Sequence, residues 1–142
     1  MKTPIRGFVK VWQGGKLVAA GKNMVVSDGL LLLAQRIVGE NVALPTKFKL
    51  GTSAALTTSE MTNLQGSLIA TFTATLTRRT TVLSWSGEYT HDDITEQNCR
   101  EIGLFQAGDS GRMLARFLPV QQFLIKSGTP IKVNWEIIIG DE

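Results

Sequence analysis

Apolar and polar residues alternate along most of this chain, and the alternation predicts strands in several places. Between residues 5 and 12, Ile5, Val9 and Val11 share one parity while Phe8 falls with Arg6 and Lys10 on the other. Gln13-Gly14-Gly15-Lys16 then turns the chain and Leu17-Val18-Ala19-Ala20 returns it, which predicts a β-hairpin. After Pro45, Lys47 to Gly51 alternates briefly. From Ile69 to Thr77 one strand is expected, with Phe72, Ala74 and Leu76 opposing Thr71, Thr73, Thr75 and Thr77. Threonine suits a pleated, half-buried surface. The Arg78-Arg79 region turns or bends the chain, and Thr81, Leu83 and Trp85 then alternate with Val82, Ser84 and Ser86. The last strand runs from Ile131 to Ile139, with Ile131, Val133, Trp135, Ile137 and Ile139 on one face and Lys132, Asn134, Glu136 and Ile138 opposite.

The stretch from Cys99 to Pro119 organises the rest. Ile102 and Leu104 alternate with Gly103 and Phe105, and Met113, Ala115 and Phe117 with Arg112, Leu114 and Arg116. Ala107-Gly108-Asp109-Ser110-Gly111 joins the two runs as a polar turn. Apolar residues on both faces predict a hairpin central in a sheet or held between two sheets. A single helix is expected after it in weight, though earlier in the chain: Ser27-Asp28 as N-cap and acidic first turn, Gly29 to Val38 as body, and Gly39 as stop. Leu30, Leu33, Ala34 and Ile37 form one face, and Leu31 and Leu32 lie off it. A helix that apolar must be covered on more than one side. Thr57 and Glu60 have capping-box spacing and predict a single helical turn.

Seven or eight strands with no βαβ rhythm predict a mainly β protein, an antiparallel, jelly-roll-like β-sandwich with one apolar α-helix near residues 28–38. Residues 1–142 are expected to form one domain, with residues 1–22 as a hairpin or arm that a partner orders. Hydrophobic residues are 43% of the chain, enough for a core.

The formal charge of +3 is mild, and Arg78-Arg79 is the only adjacent basic pair, so no direct nucleic-acid contact is expected. The lone Cys99 excludes an intramolecular disulfide framework and reads as a small buried hydrophobe. The N-terminus lacks a signal-peptide core, and the apolar run from Gly29 to Ala34 is too short to cross a bilayer. Neither a membrane partner nor export is expected, beyond departure in a larger particle.

The densest polar cluster, Glu88 to Asn98, holds the only histidine. His91, Asp92, Asp93 and Glu96 are the candidates for a cation site or an acid–base pair. One histidine without nearby cysteines falls short of a zinc set, and the spaced carboxylates of an EF-hand loop are missing, so a solvated loop is the reading. Gly-x-Ser-x-Gly does not occur, and Gly108-Asp109-Ser110-Gly111 is flanked by strands rather than by a strand and a helix. No catalytic residue, cofactor or metal is expected. Trp85 and Trp135 share parity with apolar neighbours and read as core, whereas Trp12 sits at a hairpin tip as the exposed aromatic.

Three segments together resemble a module of tailed-bacteriophage virion proteins. They are Asn23 to Leu30 leading into Leu33-Ala34 and Gly39; Phe48-Lys49-Leu50-Gly51-Thr52 with the polar stretch to Leu64; and Glu101-Ile102-Gly103-Leu104-Phe105 followed by Gly111 to Arg116, a proline and Ile131 to Ile139. Glu-Ile-Gly-Leu-Phe is the most specific of these. The resemblance implies a non-enzymatic, β-rich structural unit with no catalytic residues to transfer. Nothing is left over for a fibre shaft, so the favoured expectation is a capsid decoration (cement) protein, a dimer or trimer bound to the major capsid protein in the virion. A tail or baseplate component, such as a fibre-attachment or adaptor-like ring protein, is the second expectation. The expected contacts are Phe8, Trp12, Leu31, Leu32, Phe123 and Leu124. Outside the resemblance, a β-sandwich with an exposed Trp12 also allows a carbohydrate-binding module. A cytoplasmic enzyme is the weakest alternative and would need the His91 loop preorganised.

Overall fold

The computed structural model describes residues 5–90, 96–108 and 110–139. In chain order the elements are β1 (Ile5–Gln13), β2 (Lys16–Lys22), β3 (Met24–Val25), α1 (Ser27–Ile37), β4 (Lys47–Gly51), β5 (Leu68–Thr73) and β6 (Thr75–Arg79). They continue as β7 (Val82–Tyr89), β8 (Gln97–Cys99), β9 (Glu101–Phe105), β10 (Met113–Phe117), β11 (Phe123–Ile125) and β12 (Ile131–Ile139). Every strand pair is antiparallel. One five-stranded sheet has the order β2-β1-β12-β7-β6, a second has β3-β10-β9-β4-β5, and β11 with β8 makes a small third sheet. Among the described residues the expected mainly β, sandwich-like architecture with one short helix is what forms, from twelve strands rather than seven or eight.

The predicted N-terminal hairpin is present. Gly14 and Gly15 have φ of 58° and 83°, the left-handed pair that joins two strands without splaying them. The expected strand from Ile69 to Thr77 is two strands. The chain breaks at Ala74, whose N–H donates to Thr46 O at 2.8 Å, and passes from the edge of one large sheet to the edge of the other. The alternation could not report this crossing, because Phe72, Ala74 and Leu76 face the interior on both sides of it. Arg78 and Arg79 remain in β6, and the reversal falls on Thr80, a non-glycine residue at φ 54°.

The two large sheets meet on an aromatic core. Trp135 of β12 lies 6.2 Å from the Phe48 ring, nearly parallel to it, and meets Phe117 edge-on at 6.5 Å. Phe72 spans Phe48 and Tyr89, each at 5.4 Å. Such pairs add to the area they bury. Trp85 and Trp135 are both buried, as their parity predicted, and the Trp85 indole N–H donates to Pro45 O at 3.0 Å.

The central hairpin also stands as expected: all five residues of β9 and all five of β10 are buried. Ile102, Leu104, Ala115 and Phe117 point into the sandwich, while Phe105 and Met113 pack outward with Val26, Met61 and Leu64. The outer cover is α1 together with the irregular segment 52–67. Within that segment the predicted helical turn at Thr57 is only a hydrogen-bonded turn, Met61 N–H to Thr58 O.

Helix α1 corrects two expectations. Its N-cap is Val26 in extended conformation with no side-chain cap, and Ser27 is already helical, its N–H donating to Ser59 O at 2.7 Å. The stripe Leu30, Leu33, Ala34 and Ile37 is not the inward face. Gly29 and Leu32 are buried, Leu33 packs against the core, and Leu30 and Ile37 face solvent. The reason is steric. A Cβ on Gly29 would stand 2.1 Å from the carbonyl oxygen of Leu114, so the helix rests its glycine on the bulged backbone of β10 and that contact chooses the face. Gly29→Ala is expected to lift the helix and cost about 3 kcal/mol, the upper end for overpacking, measured by urea denaturation.

Candidate interaction surfaces

The outer cover of the central hairpin is fastened by charge. Glu101 and Arg116 are both buried, and Arg116 donates from Nε and Nη2 to Glu101 Oε1 at 3.0 and 2.9 Å. Their remaining polar atoms all turn toward segment 52–67. Glu101 accepts the backbone N–H groups of Ser53 (3.0 Å), Gln65 (2.9 Å) and Gly66 (2.8 Å). Arg116 donates to Ala55 O at 2.6 Å, Thr57 Oγ1 at 2.9 Å and Ser53 O at 3.2 Å. The pair is therefore satisfied on every side, the condition under which buried charge is tolerable. Sequence reading missed it. The available signal was two opposite charges inside strands whose other residues are almost wholly apolar. Arg116→Met is expected to cost about 3–5 kcal/mol in denaturant unfolding, because it leaves a buried carboxylate without its counter-charge. Thr57→Val, removing one acceptor, should cost only about 1 kcal/mol.

Of the six expected contact residues, the fold brings some to the surface and places others inside. Leu31 is 52% exposed, and with it Leu30 (47%), Ile37 (82%) and the C-cap residue Val38 (73%) form an outward apolar face on α1 and its C-terminal end. Leu32, by contrast, is wholly buried beneath the helix and belongs to the interior of this chain. Phe123 is likewise buried: residues 123–125 form strand β11 paired with β8, and that pairing takes Phe123 out of the expected contact surface. Leu124 is half-buried, and its carbonyl accepts the side-chain amide of Gln13, which ties the tip of the first hairpin to β11.

Phe8 and Trp12 stand on the outer face of the β2-β1-β12-β7-β6 sheet. Phe8 is 38% exposed and Trp12 half-buried. Register places Trp12 beside Lys132 and Lys132 beside Glu88, three neighbours in one row across β1, β12 and β7. With Gly15 and Pro130 they line a shallow pocket of about 230 Å³. The Lys132 ammonium lies 5.6 Å from the Trp12 ring centroid, so a cation already faces the aromatic surface that a sugar would need.

Cys99 is buried, and burial pushes its thiol up to about 12, against a smaller opposing effect of backbone hydrogen bonds from Glu101 and Gly51. A thiol held neutral is not a nucleophile at ordinary pH. Because the folded value lies above the ordinary 9.0, the contribution of the neutral thiol to stability is complete below pH 9 and declines as pH rises toward 12. Folded protein is expected to leave Cys99 unlabelled by a thiol reagent at pH 8, with full labelling in denaturant. His91, Asp92 and Asp93 lie outside the described residues, and Glu96 is exposed just before β8. Among the described residues no cluster of three or more His, Cys, Asp or Glu is placed to hold a metal ion. No described helix is long and apolar enough to cross a membrane.

Comparison with family models, with curated proteins and with solved structures found no match to this chain.

Proposed function

We propose that this chain is a non-enzymatic structural protein of a tailed-bacteriophage virion, and specifically a capsid decoration protein that binds and stabilises the major capsid lattice as a homo-oligomer. The observation that carries this reading is the apolar outer face of α1, where four large aliphatic side chains remain about half or more exposed. Exposed apolar surface of that kind on a firmly braced scaffold suits a protein that completes its burial against neighbours. Its support in sequence is the resemblance of the segments around α1, β4, β9, β10 and β12 to virion modules. The outer face of the first hairpin, with Phe8 and Trp12, is the second contact surface in this reading.

The test is copy number per particle, by quantitative mass spectrometry of purified virions against the major capsid protein. Hundreds of copies are expected for a decoration protein. A handful in multiples of three or six would move the chain to a tail, baseplate or fibre-attachment position, and absence from particles would overturn the virion reading. Trp12→Ala is expected to weaken incorporation into particles while leaving the melting temperature of the isolated protein nearly unchanged. A large fall in melting temperature with incorporation intact would assign Trp12 to folding instead.

A further inference from the structure

Asn23 is the residue at which the chain leaves one large sheet for the other, between β2 and β3. Its backbone N–H donates to Gly7 O at 3.3 Å, but its side-chain carboxamide bonds nothing. Oδ1 and Nδ2 each expose less than 1 Å², and neither has a partner. A buried donor and acceptor left in this way cost folding, whereas an aliphatic residue of similar size would not. The neighbouring strand makes room for the amide all the same. A Cβ on Gly7 would fall 1.5 Å from Asn23 Oδ1 and 2.6 Å from Nδ2, so β1 carries a glycine there to seat a group that makes no hydrogen bond within the chain.

The amide borders a gap in the sheet. Strand β2 ends at Lys22, opposite Phe8, while β1 continues through Gly7, Arg6 and Ile5 with register partners only in β12 among the described residues. In an antiparallel sheet the backbone groups of alternate residues face the same neighbour. Gly7 O faces the β2 side, so the N–H and C=O of Ile5 face that side too, at a level where β2 has already ended. The hollow at this place measures about 270 Å³. Besides Gly7 and Asn23, its lining is Ile5, Phe8 and Ile138 as apolar walls and Arg6 and Lys22 as cations. No carboxylate lines it; Glu136, opposite Phe8 in β12, is the nearest in register.

We propose that this notch binds an extended peptide segment of a partner protein, added as a strand beside Ile5 and hydrogen-bonded through its backbone to Ile5 and to the Asn23 carboxamide. A peptide repeats one donor and one acceptor at every residue, about 3.3 Å apart, so a single segment meets both pairs. A lone carboxamide meets one of them. The apolar walls take alternate side chains of the segment, and Lys22 with Arg6 favours an acidic residue in it. The site does not depend on a capsid or tail position for the chain, since its chemistry is set by Asn23 and the β1 edge.

The experiment uses purified, isotope-labelled protein, so it can fail independently of the particle copy number. The probe is a pool of capped pentapeptides with a central glutamate and flanking positions varied among valine, isoleucine, threonine, serine and asparagine. Binding members should shift the Asn23 side-chain amide and the Ile5 backbone N–H signals in NMR spectra, and leave Thr77, on the opposite edge strand β6, unmoved. Methylating the backbone nitrogens of the best binder should abolish the shifts. Asn23→Leu should weaken that peptide about ten-fold or more while the melting temperature holds or rises, because no hydrogen bond of the fold is lost. Lys22→Glu, at an exposed position away from the Gly7 contact, should weaken it as well and remove its dependence on salt. Four outcomes would overturn the inference: no pool member moving those signals at millimolar concentration, the methylated peptide binding equally, acetamide moving the same signals as strongly as the peptide, or Asn23→Leu lowering the melting temperature with peptide affinity unchanged.

Discussion

The ion pair between Glu101 and Arg116 is the constraint on which the outer half of the molecule depends. Burying a carboxylate and a guanidinium is expensive, and a pair is often no better than two apolar residues of similar size. Here the comparison changes because the partners extend beyond each other. Three backbone N–H groups of segment 52–67 end on the carboxylate, and two carbonyls and a hydroxyl of the same segment take the guanidinium. An apolar replacement would strand those backbone groups as well. The pair thus substitutes for the secondary structure that the segment lacks, and it gives β9 and β10 a second packed face that no sheet supplies.

Helix α1 occupies the other part of that face and answers to a different constraint. Its position is dictated by a contact of backbone on backbone at Gly29 and Leu114, not by the strength of its apolar stripe. Once the glycine is seated, Leu32 goes inward, Leu33 packs against the core, and Leu30, Leu31 and Ile37 are left outside. The helix spends more apolar residues than its own chain can bury, and the surplus is gathered on one side.

Much of the fold was legible in the chain, and the failures are informative. Period-two alternation located β1, β4, β9, β10 and β12 well, because each buries alternate residues against the opposite sheet. It failed at Ala74, where both sides of a sheet crossing carry the same inward parity. It also failed at Phe123, where a three-residue strand is too short to show a period. The face of α1 was misassigned since a helix apolar nearly all round leaves its phase open, and only a close approach between elements settles it. The candidate contact surfaces were legible only in part: Phe8 and Leu31 are outside as expected, whereas Leu32 and Phe123, expected as contacts too, are inside. The Glu101–Arg116 pair was hidden, since a strand position reveals that a charge faces away from the core but not that another segment covers it.

Segment 52–67 would be classed as loop by its backbone, with few of its own hydrogen bonds and many small polar residues. Yet Ser53, Gln65 and Gly66 hang from a carboxylate that no water reaches. To open any one of them the chain must expose Glu101, and exposing Glu101 means prising the cover from the central hairpin. In hydrogen-exchange terms, these amides belong to the same cooperative unit as the strands beneath them, and their protons should leave only when the whole sandwich opens.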